Sequence, residues 1–229
     1  MSHQGQLILL RHGKSVWNEK NLFTGWVDIP LSQKGIDEAL EAGKLIKNIA
    51  IDVVFTSTLI RASMTAALAM SQHSSNKILV RRKELESPYS NWDQDYCLES
   101  SKTTIDLIEN AALNERMYGQ LQGFNKDAMR EVHGAEQVHI WRRSFDVAPP
   151  GGESLKMCAE RTLPYFESVI KPEIEKGRNV LIAAHGNSLR AIVMEIEKMS
   201  PEQILEFEIP TGKPLFYRFE KGVIRREEG

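Results

Sequence analysis

The sequence predicts an α/β fold of three layers, a mostly parallel sheet with helices on both faces. Two observations carry that expectation. Apolar runs of strand length alternate with stretches of helical periodicity through most of the 229 residues, as in sheets built from βα units. Two of the runs, Leu7-Ile8-Leu9-Leu10 and Val180-Leu181-Ile182-Ala183-Ala184, stop alike, at a histidine followed by a glycine. Such strands deliver His12 and His185 to the carboxyl edge of a sheet, where open α/β folds bind ligands.

Length and a hydrophobic content of 41% fit one domain over residues 1–229 with a substantial core. A net charge of −2 and a pI near 6.3 leave no electrostatic footprint for nucleic acid or an anionic membrane. No signal-peptide pattern opens the chain, and no apolar run approaches the about 20 residues that span a bilayer. A cytoplasmic location is the expectation. Cys97 and Cys158 make neither a disulfide framework nor a four-ligand zinc site, and read as free thiols.

After the first strand, residues 15–30 read as an ordered loop. There Asn18 and the backbone around Thr24-Gly25 offer donors to an anion, although the same composition suits turns and packed tryptophans equally well. Ser32 caps a helix marked by Ile36, Ala39, Leu40, Gly43 and Ile46. Residues 51–56 form a second strand, and Ser57 or Thr58 caps the helix of Ile60, Met64, Ala67 and Leu68. Arg61 sits in its first turn, against the macrodipole, a position that suits an anion site or simply the surface. Over residues 71–112 the pattern dissolves. Apart from a short strand at 78–80 and a solvated basic patch, Arg81-Arg82-Lys83, it reads as a mobile excursion or lid.

Residues 113–126 read as a loop carrying Glu115, Tyr118 and Lys126. A carboxyl group beside a phosphate is raised in pKa and can donate a proton. A helix near 132–141 runs into Arg142-Arg143, a pair suited to a carboxylate, a second phosphate or plain solvent. From Ser154 a long amphipathic helix follows Leu155, Ala159, Leu163, Phe166, Ile170 and Ile174; Pro164 should kink or divide it, and Gly177 closes it. A strand at 179–184, a helix at 189–196 and a hairpin about Lys221-Gly222 complete the chain. Arginine beside imidazole at the end of the first strand, with a second imidazole at the end of the other, points to an anion held next to a nucleophile, hence to phosphoryl transfer.

Several blocks then follow in order: Arg11-His12-Gly13-Lys14-Ser15-Val16-Trp17-Asn18, Phe23-Thr24-Gly25-Trp26, Leu31-Ser32-Gln33-Lys34-Gly35, Phe55-Thr56-Ser57 with Arg61-Ala62, Leu113-Asn114-Glu115-Arg116, Trp141-Arg142-Arg143, and Ala184-His185-Gly186-Asn187-Ser188-Leu189-Arg190. Together they resemble the cofactor-dependent phosphoglycerate mutases of the histidine phosphatase superfamily. The resemblance implies interconversion of 3-phosphoglycerate and 2-phosphoglycerate in glycolysis and gluconeogenesis. It implies priming by 2,3-bisphosphoglycerate, a phosphohistidine, and no metal. By that similarity His12 is the nucleophile, Arg11, Arg61 and His185 surround the transferred group, and Glu115 shuttles the proton. Asn18, Gly186 and Asn187 add donors, while Thr24, Gly25, Tyr118, Lys126, Arg142 and Arg143 hold the rest of a small phosphoglycerate. A homodimer is compatible with the resemblance. Three features depart from the family pattern: Lys14 stands where an acidic or amide residue is usual, residues 71–112 are longer than usual, and the connection at 150–153 is shorter. The rival expectations are a phosphomonoesterase on the same scaffold and a non-catalytic phosphate-binding module.

Overall fold

The computed structural model describes residues 4–82, 99 and 102–227. Seven strands form one sheet in the order β3-β4-β2-β5-β1-β6-β7. They are β1 (Gln6–Arg11), β2 (Val53–Thr56), β3 (Ile78–Arg82), β4 (Thr104–Glu109), β5 (Val180–Ala184), β6 (Pro214–Glu220) and β7 (Val223–Arg226). The five strands from β3 to β1 run parallel, and β6 and β7 add an antiparallel hairpin turning at Lys221-Gly222. The central pair is fully apolar because both its faces are covered: Leu7, Ile8, Leu9 and Leu10 are completely buried, as are residues 180–184. Each buried Leu, Ile or Val among them contributes about 1.5–3 kcal/mol by leaving water.

Alternate residues of the strands feed two cores. Ile8, Leu10 and Val54 pack with Ala42 and Ile46 of α2 (Gln33–Ile46) and with Ala66 and Ala69 of α3 (Ile60–Met70). Leu7, Leu9 and Ile182 face the other layer, α6 (Leu155–Tyr165) and α8 (Gly186–Glu197). The three-layer expectation therefore holds. Ser32 caps α2 and Ser154 caps α6, each accepting from the backbone N–H three residues on. Pro164 breaks the long helix as expected: α6 gives way to a π-helical turn, Phe166–Ile170, before α7 (Lys171–Glu175). A short helix, α9 (Pro201–Glu206), precedes β6. No helix among the described residues is long and apolar enough to cross a membrane.

Four sequence expectations need correction. The helix expected to be capped by Ser57 or Thr58, α3, has Leu59 at its N-cap and no side-chain cap bond. Residues 15–30 contain a one-turn helix, α1 (Val16–Glu19), closed by a reciprocal cap between Ser15 and Asn18. Residues 71–112 include β4, which pairs along its whole length between β2 and β3. Ile105 and Leu107 enter one core and Ile108 packs against the other, while Asp106 and Glu109 pair with Arg82 and Arg81, so the acidic residues interrupt the apolar pattern. The expected excursion falls on residues 83–98, 100 and 101, outside the described residues. Lys126, read as loop, is instead the first residue of α4 (Lys126–His133), capped by Asn125; Gly134, at φ +84°, separates α4 from α5 (Ala135–Arg143).

Candidate active site

β1 and β5 pair in register, Arg11 opposite Ala184, so His12 and His185 leave the sheet at the same level. Their rings lie 4.9 Å apart between centroids. Gly13 makes the turn possible by contact: a Cβ there would lie 2.1 Å from the Gly35 carbonyl oxygen of α2. The Nδ1 of His12 lies 2.6 Å from the Gly13 carbonyl oxygen. A carbonyl only accepts, so Nδ1 carries the proton and Nε2 keeps its lone pair. Burial, then the charges of Arg61 and Arg11, pull the His12 pKa down to about 3. His12 is thus neutral and nucleophilic throughout the physiological range. His185 is held by its other nitrogen, Nε2, 2.7 Å from Ser57 Oγ, while its buried Nδ1 has no partner. Ser57 Oγ also accepts from the Leu59 N–H, so its own proton is free to go to Nε2, an arrangement in which Nδ1 carries the His185 proton. Burial first, then Arg61, keep this imidazole neutral as well.

Arg61 is 1% exposed, and its guanidinium donates to the carbonyls of Val27 and Gly25 at 3.0 and 2.7 Å. With no carboxylate bonded to it, burial lowers its pKa to about 10. Arg11 donates to the Ile209 carbonyl at 2.7 Å, and its Nε is buried without a partner. Gly186 lies beside that guanidinium, where a Cβ would stand 3.4 Å away, an ordinary contact distance. Glu115 accepts three hydrogen bonds on Oε1, from Arg116 N (2.8 Å), Asn187 N (3.2 Å) and Asn187 Nδ2 (2.8 Å). Burial pushes its pKa up, but those donors and the charges of Arg11 and Arg61 outweigh it, leaving the carboxyl below its usual range. The protein's own groups thus oppose the upward shift expected beside a phosphate.

These residues open onto a cleft of about 740 Å3, a volume that includes open solvent at its mouth. Every predicted site residue lines it except His185, which is fully buried with its ring beside that of His12. Thr24 has its hydroxyl buried without a partner, and Gly25 takes φ +52° at a place where a Cβ would also strike the Gln122 side chain. Tyr118 packs on Phe23 at 5.1 Å and accepts from Arg116. Toward the mouth stand Lys126, Arg142 and Arg143. Lys126 is brought down to about 8 by burial, then by Arg142 and Arg11, and Arg142 is likewise lowered, mainly by burial. Cations crowded this way favour an anion among them. Lys14 does not line the cleft; its backbone N–H bonds Glu38.

Three polar residues were given no role by the sequence. Arg190 and Glu208 line the mouth, and Arg143 pairs with Glu208 at 2.6 Å. Arg161 chelates Glu153 and donates to the carbonyls of Asn114 and Glu115 at 3.0 and 2.9 Å, fixing the backbone behind the carboxyl. Only its place on the inner face of an amphipathic helix marks it in the sequence. His12, Glu115 and His185 bring ligand atoms within 4.8 Å, the one metal-like cluster among the described residues. Arg11 and Arg61 face that cluster and oppose a cation. Cys158 is a buried free thiol, pushed up to about 12 by burial, and unreactive.

The model of the histidine phosphatase superfamily (branch 1) matches residues 7–96 and 94–225. The chain is 58% identical over 214 residues to the 2,3-bisphosphoglycerate-dependent phosphoglycerate mutase of Protochlamydia amoebophila, covering 93% of this chain and 95% of that protein. It is 57% identical over 213 residues to the enzyme of the same name from Chlamydia muridarum, covering 93% of each. Among solved structures, Bacillus stearothermophilus YhfR shares the fold, with a TM-score of 0.75 over 97% of this chain and 95% of that one, at 22% identity. On sequence and fold together, the chain belongs to the 2,3-bisphosphoglycerate-dependent phosphoglycerate mutase family of the histidine phosphatase superfamily, branch 1.

Proposed function

We propose that the protein interconverts 3-phosphoglycerate and 2-phosphoglycerate through a phosphohistidine on His12. One observation carries the reading: a neutral imidazole with Nε2 free, in a cleft whose other charged groups are six cations and two carboxylates. The residues also fit 2,3-bisphosphoglycerate. The Thr24 hydroxyl, Arg11 Nε and His185 Nδ1 are buried and unpartnered, and the lowered Lys126 and Arg142 are relieved by an anion. That compound supplies the phosphoryl group that first loads His12.

From the loaded state, the 2-hydroxyl of 3-phosphoglycerate attacks the phosphorus as the bond to Nε2 breaks. Glu115, held ionised by its donors, takes the hydroxyl proton. After the ligand turns, Nε2 attacks the 3-phosphoryl group and Glu115 returns the proton to the leaving oxygen. Arg11, Arg61 and the Nδ1–H of His185 stabilise the charge spread over the equatorial oxygens. Asn18, Gly186 and Asn187 complete that end; Thr24, Gly25, Tyr118, Lys126, Arg142 and Arg143 hold the carboxylate and the second phosphate. The opposing charge of Arg11 and Arg61 supports a site that works without metal. All described strands share one sheet, which supports a single domain. Sedimentation tests the homodimer that the family resemblance allows.

A coupled assay tests the function. Isomerisation of 3-phosphoglycerate should depend on a trace of 2,3-bisphosphoglycerate and greatly exceed phosphate release. Dominant hydrolysis would assign the scaffold to a phosphomonoesterase, and a protein that never labels on His12 would be a binding module.

A further inference from the structure

Three consecutive residues before β6 hold three arginines of the cleft. The Phe207 carbonyl accepts from Arg190 Nε at 2.8 Å, and the Ile209 carbonyl from Arg11 at 2.7 Å. Between them, Glu208 Oε1 takes Arg143 at 2.6 Å and Arg190 at 3.3 Å. The two carbonyls are fixed by the backbone. The carboxylate is not: the Glu208 side chain is 56% exposed, at the mouth. It is one of two carboxylates lining the cleft among the described residues, and the other, Glu115, is buried at the inner end. Arg190 therefore keeps its aim from the Phe207 carbonyl, whereas the charge opposite Arg190 and Arg143 can swing into water.

We propose that Glu208 is a specificity-determining residue: its carboxylate occupies Arg143 and Arg190 until the outer anionic group of a ligand takes its place. The proposal rests on the mutase reading, which requires an anion at each end of the ligand. A small anion bound at His12 leaves the Glu208 pairs intact. A ligand long enough to bring a second anion to the mouth must displace the carboxylate, and its affinity is reduced by that competition. The cleft then selects doubly anionic ligands, which gain the two guanidinium groups. It also lets the product go, because Glu208 is on hand to reclaim them.

Titration calorimetry on the wild type, Glu208→Gln and Glu208→Ala tests this, with 2,3-bisphosphoglycerate and inorganic phosphate as separate probes. Both variants should bind the bisphosphorylated probe more tightly, by roughly two- to fivefold, the factor of an exposed ion pair. Inorganic phosphate should bind all three alike, and the KM for 3-phosphoglycerate should fall without a rise in kcat. A strut that only orders the arginines would give the opposite sign, so weaker or unchanged binding of the long probe in both variants overturns the proposal. So does an equal gain for phosphate, which would mean a diffuse charge effect. Calorimetry needs no turnover: a wild type that binds the probes but does not isomerise defeats the mutase reading alone, and one that binds neither defeats both.

Discussion

β1 and β5 are adjacent, in register and alike in sequence at their ends, yet their histidines are wired oppositely. His12 spends Nδ1 on the next carbonyl and presents Nε2; His185 spends Nε2 on Ser57 and presents Nδ1. One becomes a nucleophile and the other a donor. The residue type is common to both, and the hydrogen-bond partner assigns the task.

The contrast can be broken most severely at the nucleophile. His12→Ala should lower the mutase rate by about 10⁴-fold or more while far-UV circular dichroism stays native, since the ring bonds only its neighbour. Any substantial residual rate would mean that His185 can substitute. Because both imidazoles are held neutral, the proton falls to Glu115. Glu115→Gln should cut kcat by about 10²–10⁴-fold with KM nearly unchanged, and an unaltered kcat would return the proton to one of the rings. Ser57→Ala frees His185 Nε2 and lets the tautomer relax; a loss of about fivefold in kcat follows from one neutral hydrogen bond. The mildest effect lies at the mouth. Lys126 loses its charge as pH rises through about 8, so kcat/KM should decline on that alkaline limb. Lys126→Arg should shift the limb to higher pH, and an unmoved limb would assign it to another group.

Much of this was legible because the signals are local. A continuous apolar strand ending in histidine and glycine announces itself in eight residues, and Ser32 and Ser154 mark helix starts by chemistry a single side chain can express. β4 was not legible, because its outward residues are the acidic partners of Arg81 and Arg82 and its sheet-forming tendency appears only between two neighbours. Lys126 was placed in a loop although Asn125 ahead of it is a good cap. Its role in the cleft came from the family resemblance rather than from periodicity. The arginine-holding segment before β6 was invisible for a deeper reason: two of its three acceptors are backbone carbonyls, which carry no residue identity. Glu208 alone could have been noticed, and nothing nearby in the sequence ties it to residues 65 positions earlier.

Where Gly13 rests against Gly35, the reacting nitrogen takes its place from one main chain touching another. Substitutions on the solvent side of α2 can therefore accumulate without moving it, while a single methyl group at the junction would shift the whole helix. Mutational scanning should find tolerance and intolerance about half a helical turn apart there, and catalyst redesign is better begun at the rim than at that seam.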